Sequence, residues 1–138
     1  MMKILKLLKR KENRLEKISK QMMNELGIGL MKVSDKALEQ YRNLTKDNYN
    51  LSDEQIILKL NRNFYCSKKT LKANRNIIIR AYGNMKICVN KIHNEIVNIS
   101  NERNGVCFDM KINKKLKNKL NKIMEIKNDD SYNLRKII

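Results

Sequence analysis

A chain of 138 residues carrying 31 Lys and Arg against 14 Asp and Glu, a formal charge of +17, selects for an acidic partner, and nucleic acid is the commonest one. That length supports one domain with a modest core, or a small domain with helical extensions. Three widely spaced cysteines (Cys66, Cys88, Cys107) without a C-x-x-C, and a single histidine, argue against a disulfide frame or a zinc site. No metal or cofactor is expected, and the thiols fit a reducing cytoplasm.

Residues 1–26 read as one basic amphipathic helix. Ile4, Leu8, Leu15, Ile18, Met22 and Leu26 recur at helical spacing, with eight Lys/Arg against three Glu around them. Gly27 and Gly29 end it. Lysines at 3, 6 and 9 interrupt the apolar opening, and no run is long enough to span a bilayer.

Residues 27–110 form the expected α+β core domain. Ile28 to Val33 suits a short strand. Ser34 caps a helix from Lys36 to Leu44. Ser52 and Gln55 form a capping box opening another helix through about Phe64, with Ile56, Ile57, Leu60 and Phe64 inward. Cys66 to Asn74 reads as a polar connector bearing Lys68, Lys69 and Lys72.

Three antiparallel strands follow between Asn76 and Ser100. Gly83-Asn84 joins two β-rich runs as a two-residue hairpin, pairing Tyr82 with Met85, Arg80 with Ile87 and Ile78 with Val89. A second turn at His93-Asn94 predicts Val89 opposite Asn98 and Ile87 opposite Ser100. Period-two alternation then sorts the side chains. One face collects Ile77, Ile79, Ala81, Cys88, Ile92, Val97 and Ile99 and is expected to be the core. The other carries Arg80, Tyr82, Lys91, Asn98 and Ser100 among apolar residues, as a binding cleft would. Val106 to Phe108 suits a fourth strand. Residues 111–138 are expected to form a basic helix to Lys127, with seven lysines, and a frayed tail. The fold class is therefore α+β: N-terminal helices, a three- to four-stranded antiparallel meander and a C-terminal basic helix.

Ser34-Asp35-Lys36-Ala37-Leu38-Glu39-Gln40-Tyr41 resembles the Ser-x-His-Ala-x-x-Arg helix start of small RelE-like and colicin-D-like ribonuclease domains. Tyr82-Gly83-Asn84-Met85-Lys86-Ile87 and Ile96-Val97-Asn98-Ile99 are similar to their later hallmarks, so the resemblance spans residues 32–100. It departs at Lys36, where the pattern has His, at Gln40, where it has Arg, and at Asn98, where Thr is common. The resemblance implies metal-independent RNA cleavage, or a relative that binds nucleic acid without the chemistry.

Such cleavage needs a proton acceptor, a proton donor and cations around the phosphoryl oxygens. Arg80 would bind phosphate bidentately, Tyr82 would donate a proton or stack on a base, and Lys36 would serve as base or second phosphate contact. Lys68, Lys69, Lys72, Lys91, Asn98 and Ser100 are the expected nucleic-acid contacts, with RNA ahead of DNA. Against this stand two alternatives. One is a non-catalytic regulator of the kind phages and plasmids encode. The other is a small inhibitor whose basic surface docks on an acidic protein partner. The cleavage reading itself describes a toxin-type domain, for which a cognate antitoxin would be the expected protein partner.

Overall fold

The computed structural model describes residues 2–101 and 112–127. The chain divides into two compact units, meeting in sequence between Leu30 and Met31. The first is helix α1 (Met2–Leu26). Gly27 ends it with φ +71°, the left-handed conformation a side chain disfavours, and its N–H closes onto the Met23 carbonyl. The Leu30 N–H then donates to Ser19 Oγ at 3.0 Å, folding the segment after the helix back along it.

The second unit is α+β. Its elements are β1 (Lys32–Val33), α2 (Asp35–Arg42), a 3-10 turn (Lys46–Asn48), α3 (Asp53–Cys66), β2 (Lys69–Ala73), β3 (Ile77–Tyr82), β4 (Met85–Asn90), β5 (Glu95–Asn101) and α4 (Lys114–Met124). The five strands form one sheet in the order β1-β5-β4-β3-β2. All neighbours are antiparallel except β1, which runs parallel to β5. The sheet is thus larger than the expected meander: β2 comes from the stretch that reads as a connector, and β1 adds a two-residue edge. The strand expected at Val106 to Phe108, Cys107, and the tail from Asn128 lie outside the described residues.

Both helix starts follow their caps. Ser34 Oγ accepts from the Ala37 N–H, and Ser52 with Gln55 forms the reciprocal capping box. Gly83, at φ +62°, takes the first central position of the β3–β4 turn, where a primed turn needs positive φ. The first hairpin has the expected register, Tyr82 opposite Met85 and Arg80 opposite Ile87.

The core lies on one face of this sheet. Ile78, Tyr82, Met85, Ile87, Val89, Ile96 and Ile99 pack there against Leu38 and Tyr41 of α2 and Ile56, Leu60 and Phe64 of α3. This reverses the expected assignment, which places the core on the face of Ile77, Ile79, Ala81 and Cys88. Ile92, expected in that core, sits in the β4–β5 turn and is 68% exposed. Both faces carry enough aliphatic residues to be a core. What decides is the apolar stripe of α3, which can be buried against only one of them.

At about 100° per residue, Leu58, Arg62 and Cys66 point away from the stripe of Ile56, Leu60 and Phe64. All three are buried, and two of them meet α4 and its cap: the Cys66 carbonyl accepts from the Asn113 N–H at 2.8 Å, and Arg62 Nη1 donates to Asn121 Oδ1 at 3.1 Å, with Leu120 and Met124 also buried. The unit is therefore layered as sheet, α3, α4.

Candidate functional site

The registers assign every strand residue to the covered inner face or the outer face turned away from α2 and α3. On the outer face, one row across the sheet reads Lys69, Ala81, Lys86, Ser100, and the next reads Lys72, Ile79, Cys88, Asn98. Lys69, Lys72 and Ser100 are exposed, and Ile77, Ile79, Cys88, Val97 and Asn98 are half-buried. Four of the expected nucleic-acid contacts (Lys69, Lys72, Asn98, Ser100) thus share one surface, joined by Lys86. Alternation alone misses Lys86, because it puts that residue on the face expected to be the core. Lys68 is exposed just before β2. Lys91 lies at one end of the sheet, its Nζ donating to the Asn74 carbonyl at 3.1 Å and tying two turns together.

Arg80 and Tyr82 occupy the inner face. Tyr82 is 4% exposed and belongs to the core. The Arg80 guanidinium stacks over the Phe64 ring, 4.8 Å from its centroid, and Nη1 reaches the Phe64 carbonyl at the end of α3 at 3.4 Å. Its Nε is buried without a hydrogen-bond partner. Lys36 is exposed in the first turn of α2, beside the outer edge of β5. Two inter-strand spacings, roughly 10 Å, separate β5 from β3. Lys36 and Arg80 therefore belong to different parts of the unit, and Asn98 and Ser100 lie across the sheet from Arg80.

The shift of Asn98 has a local cause. A bulge in β5 places Val89 opposite Ile96 and Cys88 opposite Asn98, so Ile87 faces Ile99 and not Ser100. Helix α2 holds that bulge. The Ser34 N–H donates to the Ile96 carbonyl, Ser34 Oγ donates to the Val97 carbonyl, and Gln40 Oε1 accepts from the Ile99 N–H at 2.8 Å. Gln40 Nε2 donates to Asn98 Oδ1 at 2.8 Å. Gln40 and Asn98, two departures from the ribonuclease-like pattern, form a clamp on the free edge of β5. A charged arginine could not accept from Ile99, since a guanidinium has no acceptor.

Burial pushes the Cys66 thiol up to about 11, against the opposing charges of Arg62 and Lys117. The Cys88 thiol is raised for the same reason, with Lys72 pulling the other way, which agrees with their sharing the outer face. Burial also raises the Tyr65 phenol, offset in part by Arg80. Among the described residues no group of three His, Cys, Asp or Glu is arranged to hold a metal ion, and no helix is long and apolar enough to cross a membrane.

A family model for YorE matches residues 31–131. The chain belongs to the YorE family. This family is phage-associated, and the match begins where the second unit begins, leaving α1 outside it. No curated protein and no solved structure matches the chain.

Within the matched region the charge is uneven. Residues 31–54, which supply β1, α2 and the start of α3, hold four Lys/Arg against five Asp/Glu. Residues 55–127 hold seventeen against four. Helix α4 is the extreme case. Asn113 caps it, Lys114 and Lys115 open it, Lys119 and Lys122 follow, and no acid occurs before Glu125. Cations in a first helical turn oppose the helix dipole, and lysines three or four apart each cost a few tenths of a kcal/mol. The helix is stabilised by burying Leu120 and Met124, while Lys115, Lys119 and Lys122 are exposed.

Proposed function

We propose that the protein binds nucleic acid through its phosphates, RNA ahead of DNA, on the outer sheet face. One observation carries this reading: exposed Lys69 and Lys72 on β2 share the outer sheet face with Ser100 and Asn98 on β5, on the side that the core under α2 and α3 does not cover. A lysine ammonium on its flexible stem meets a phosphate as a point charge, and each such pairing releases condensed counterions. Asn98 Nδ2 and the Ser100 hydroxyl, across the same face on β5, offer neutral hydrogen-bonding groups suited to a ribose 2′-hydroxyl farther along a bound strand. Ile77, Ile79 and Val97 supply an apolar floor between the charged rows.

Binding is favoured over cleavage by the same geometry. In-line attack needs base, acid and cation around one phosphate. Arg80 is stacked on Phe64, Tyr82 is closed into the core, and Lys36 stands on another edge. The test is anisotropy of a fluorescent single-stranded RNA over a range of salt, in EDTA, with the RNA then run on a gel. The expected log–log plot is linear, and Lys69→Glu with Lys72→Glu flattens it by about 0.7 for each phosphate no longer neutralised. A flat salt dependence in the native protein would remove the proposal, and RNA fragments ending in cyclic phosphate would restore the cleavage reading.

A further inference from the structure

Two of the surfaces of the second unit that carry exposed lysines lie on opposite sides of it in the layering. The outer sheet face carries Lys69 and Lys72. Beyond the inner face lies α3, and beyond α3 lies α4, whose Lys115, Lys119 and Lys122 are exposed while Leu120 and Met124 are buried. Because Arg62 and Cys66 meet α4 from the side of α3 remote from the sheet, α4 cannot present its lysines to the ligand lying on the sheet. We infer that the protein bridges two nucleic-acid segments, one on the sheet face and one along α4. This rests on the nucleic-acid reading above and extends it from holding one polyanion to joining two.

The distances permit it. Sheet to α3 and α3 to α4 are each layers of about 10 Å, so two polyanions would be held about 20 Å or more apart. At physiological salt the Debye length is about 8 Å, so their mutual repulsion across that gap is largely screened. Neither surface needs the other for its shape. The sheet face is fixed by strand pairing, and α4 by its packing on α3. A protein that merely coated one strand would have no use for clustered lysines on the far side, where they weaken α4.

The experiment immobilises a short biotinylated duplex on beads and measures retention of a second, fluorescent duplex as the protein is added, with RNA in one arm and DNA in the other. Anisotropy of the single fluorescent duplex is measured in parallel. The native protein is expected to retain the second duplex. Two variants, Lys69→Glu with Lys72→Glu and Lys115→Glu with Lys119→Glu, are expected to keep binding in anisotropy with a reduced salt slope, yet to lose retention. All four positions are exposed, so an unchanged urea midpoint confirms that the variants are folded. If the native protein binds in anisotropy without retaining, bridging is wrong and simple binding stands. If each variant still retains, one surface with self-association suffices, and the two-surface geometry is wrong. If nothing binds in either format, the nucleic-acid reading falls and this inference with it.

Discussion

The two faces of the sheet are built from the same strands and a similar supply of aliphatic residues, yet one is closed and the other is not. Ile78, Ile87, Val89, Ile96 and Ile99 face α2 and α3, whereas Ile77, Ile79, Cys88 and Val97 are half-exposed among lysines. Alternation along a strand says which residues travel together, and it is silent on which set is covered. That choice is made by the helices. The consequence for function is direct, because Arg80 and Tyr82 go inward with the closed set while Lys69 and Lys72 stay out.

Substitutions that treat matched positions on the two faces separate them most sharply. Ile87→Ala should cost about 3 kcal/mol in urea denaturation, because it opens a cavity under α3, whereas Ile79→Ala should cost less than about 1 kcal/mol. Comparable destabilisation at the two sites would mean the outer face is covered as well. Next in size is an effect of alkali. The folded Cys66 thiol holds its proton up to about 11, while an unfolded thiol ionises near its ordinary value of 9.0. Raising pH through that window stabilises the unfolded state selectively, so stability should fall by about 2–3 kcal/mol between roughly pH 9 and 11. Tyr65 adds to the loss in the same direction. Cys66→Ala should flatten the profile, and thiol alkylation of the native protein at pH 8 should reach Cys88 well before Cys66.

A smaller change is expected at the edge clamp. Gln40→Ala leaves the Ile99 N–H and the Asn98 carboxamide without their partner, costing about 1–2 kcal/mol, with faster hydrogen exchange at Ile99 as its specific sign. Unchanged exchange there would show that the bulge does not depend on α2. The smallest effect belongs to the outer face itself. Lys69→Glu with Lys72→Glu should move stability by no more than about 0.5 kcal/mol while weakening RNA binding many-fold, which no residue of the closed face could do.

Local signals in the chain are legible. Gly83-Asn84 fixes a hairpin and its register, Ser34 and Ser52 begin their helices, and Gly27 ends α1. What escapes is set by distant residues. β2 has Lys-Thr-Leu-Lys-Ala and no apolar face, because it is an exposed edge strand, so its composition looks like a connector. The bulge at Val97 is dictated by Ser34 and Gln40, some sixty residues earlier, and it moves Asn98 across the sheet. The run Asn61-Arg62-Asn63 is wholly buried although it reads as polar. Asn61 grips both backbone groups of Met31, and Asn63 and Asn121 surround the Arg62 guanidinium. The candidate residues Lys69 and Lys72 on β2 and Asn98 and Ser100 on β5 share the outer face, away from the arginine and tyrosine that alternation puts beside Asn98 and Ser100.

Strand β1 is two residues long, and its partner β5 is not made until about sixty further residues have been added. At about 5–20 residues per second, Ala37, Leu38 and Tyr41 of α2 therefore wait several seconds on the ribosome with no sheet to cover them. The β3–β4–β5 hairpins are local and close quickly once synthesised. The nascent chain should thus be most open to chaperones and proteases before Asn101 emerges, and should become resistant abruptly when β5 arrives to receive β1 and α2 together.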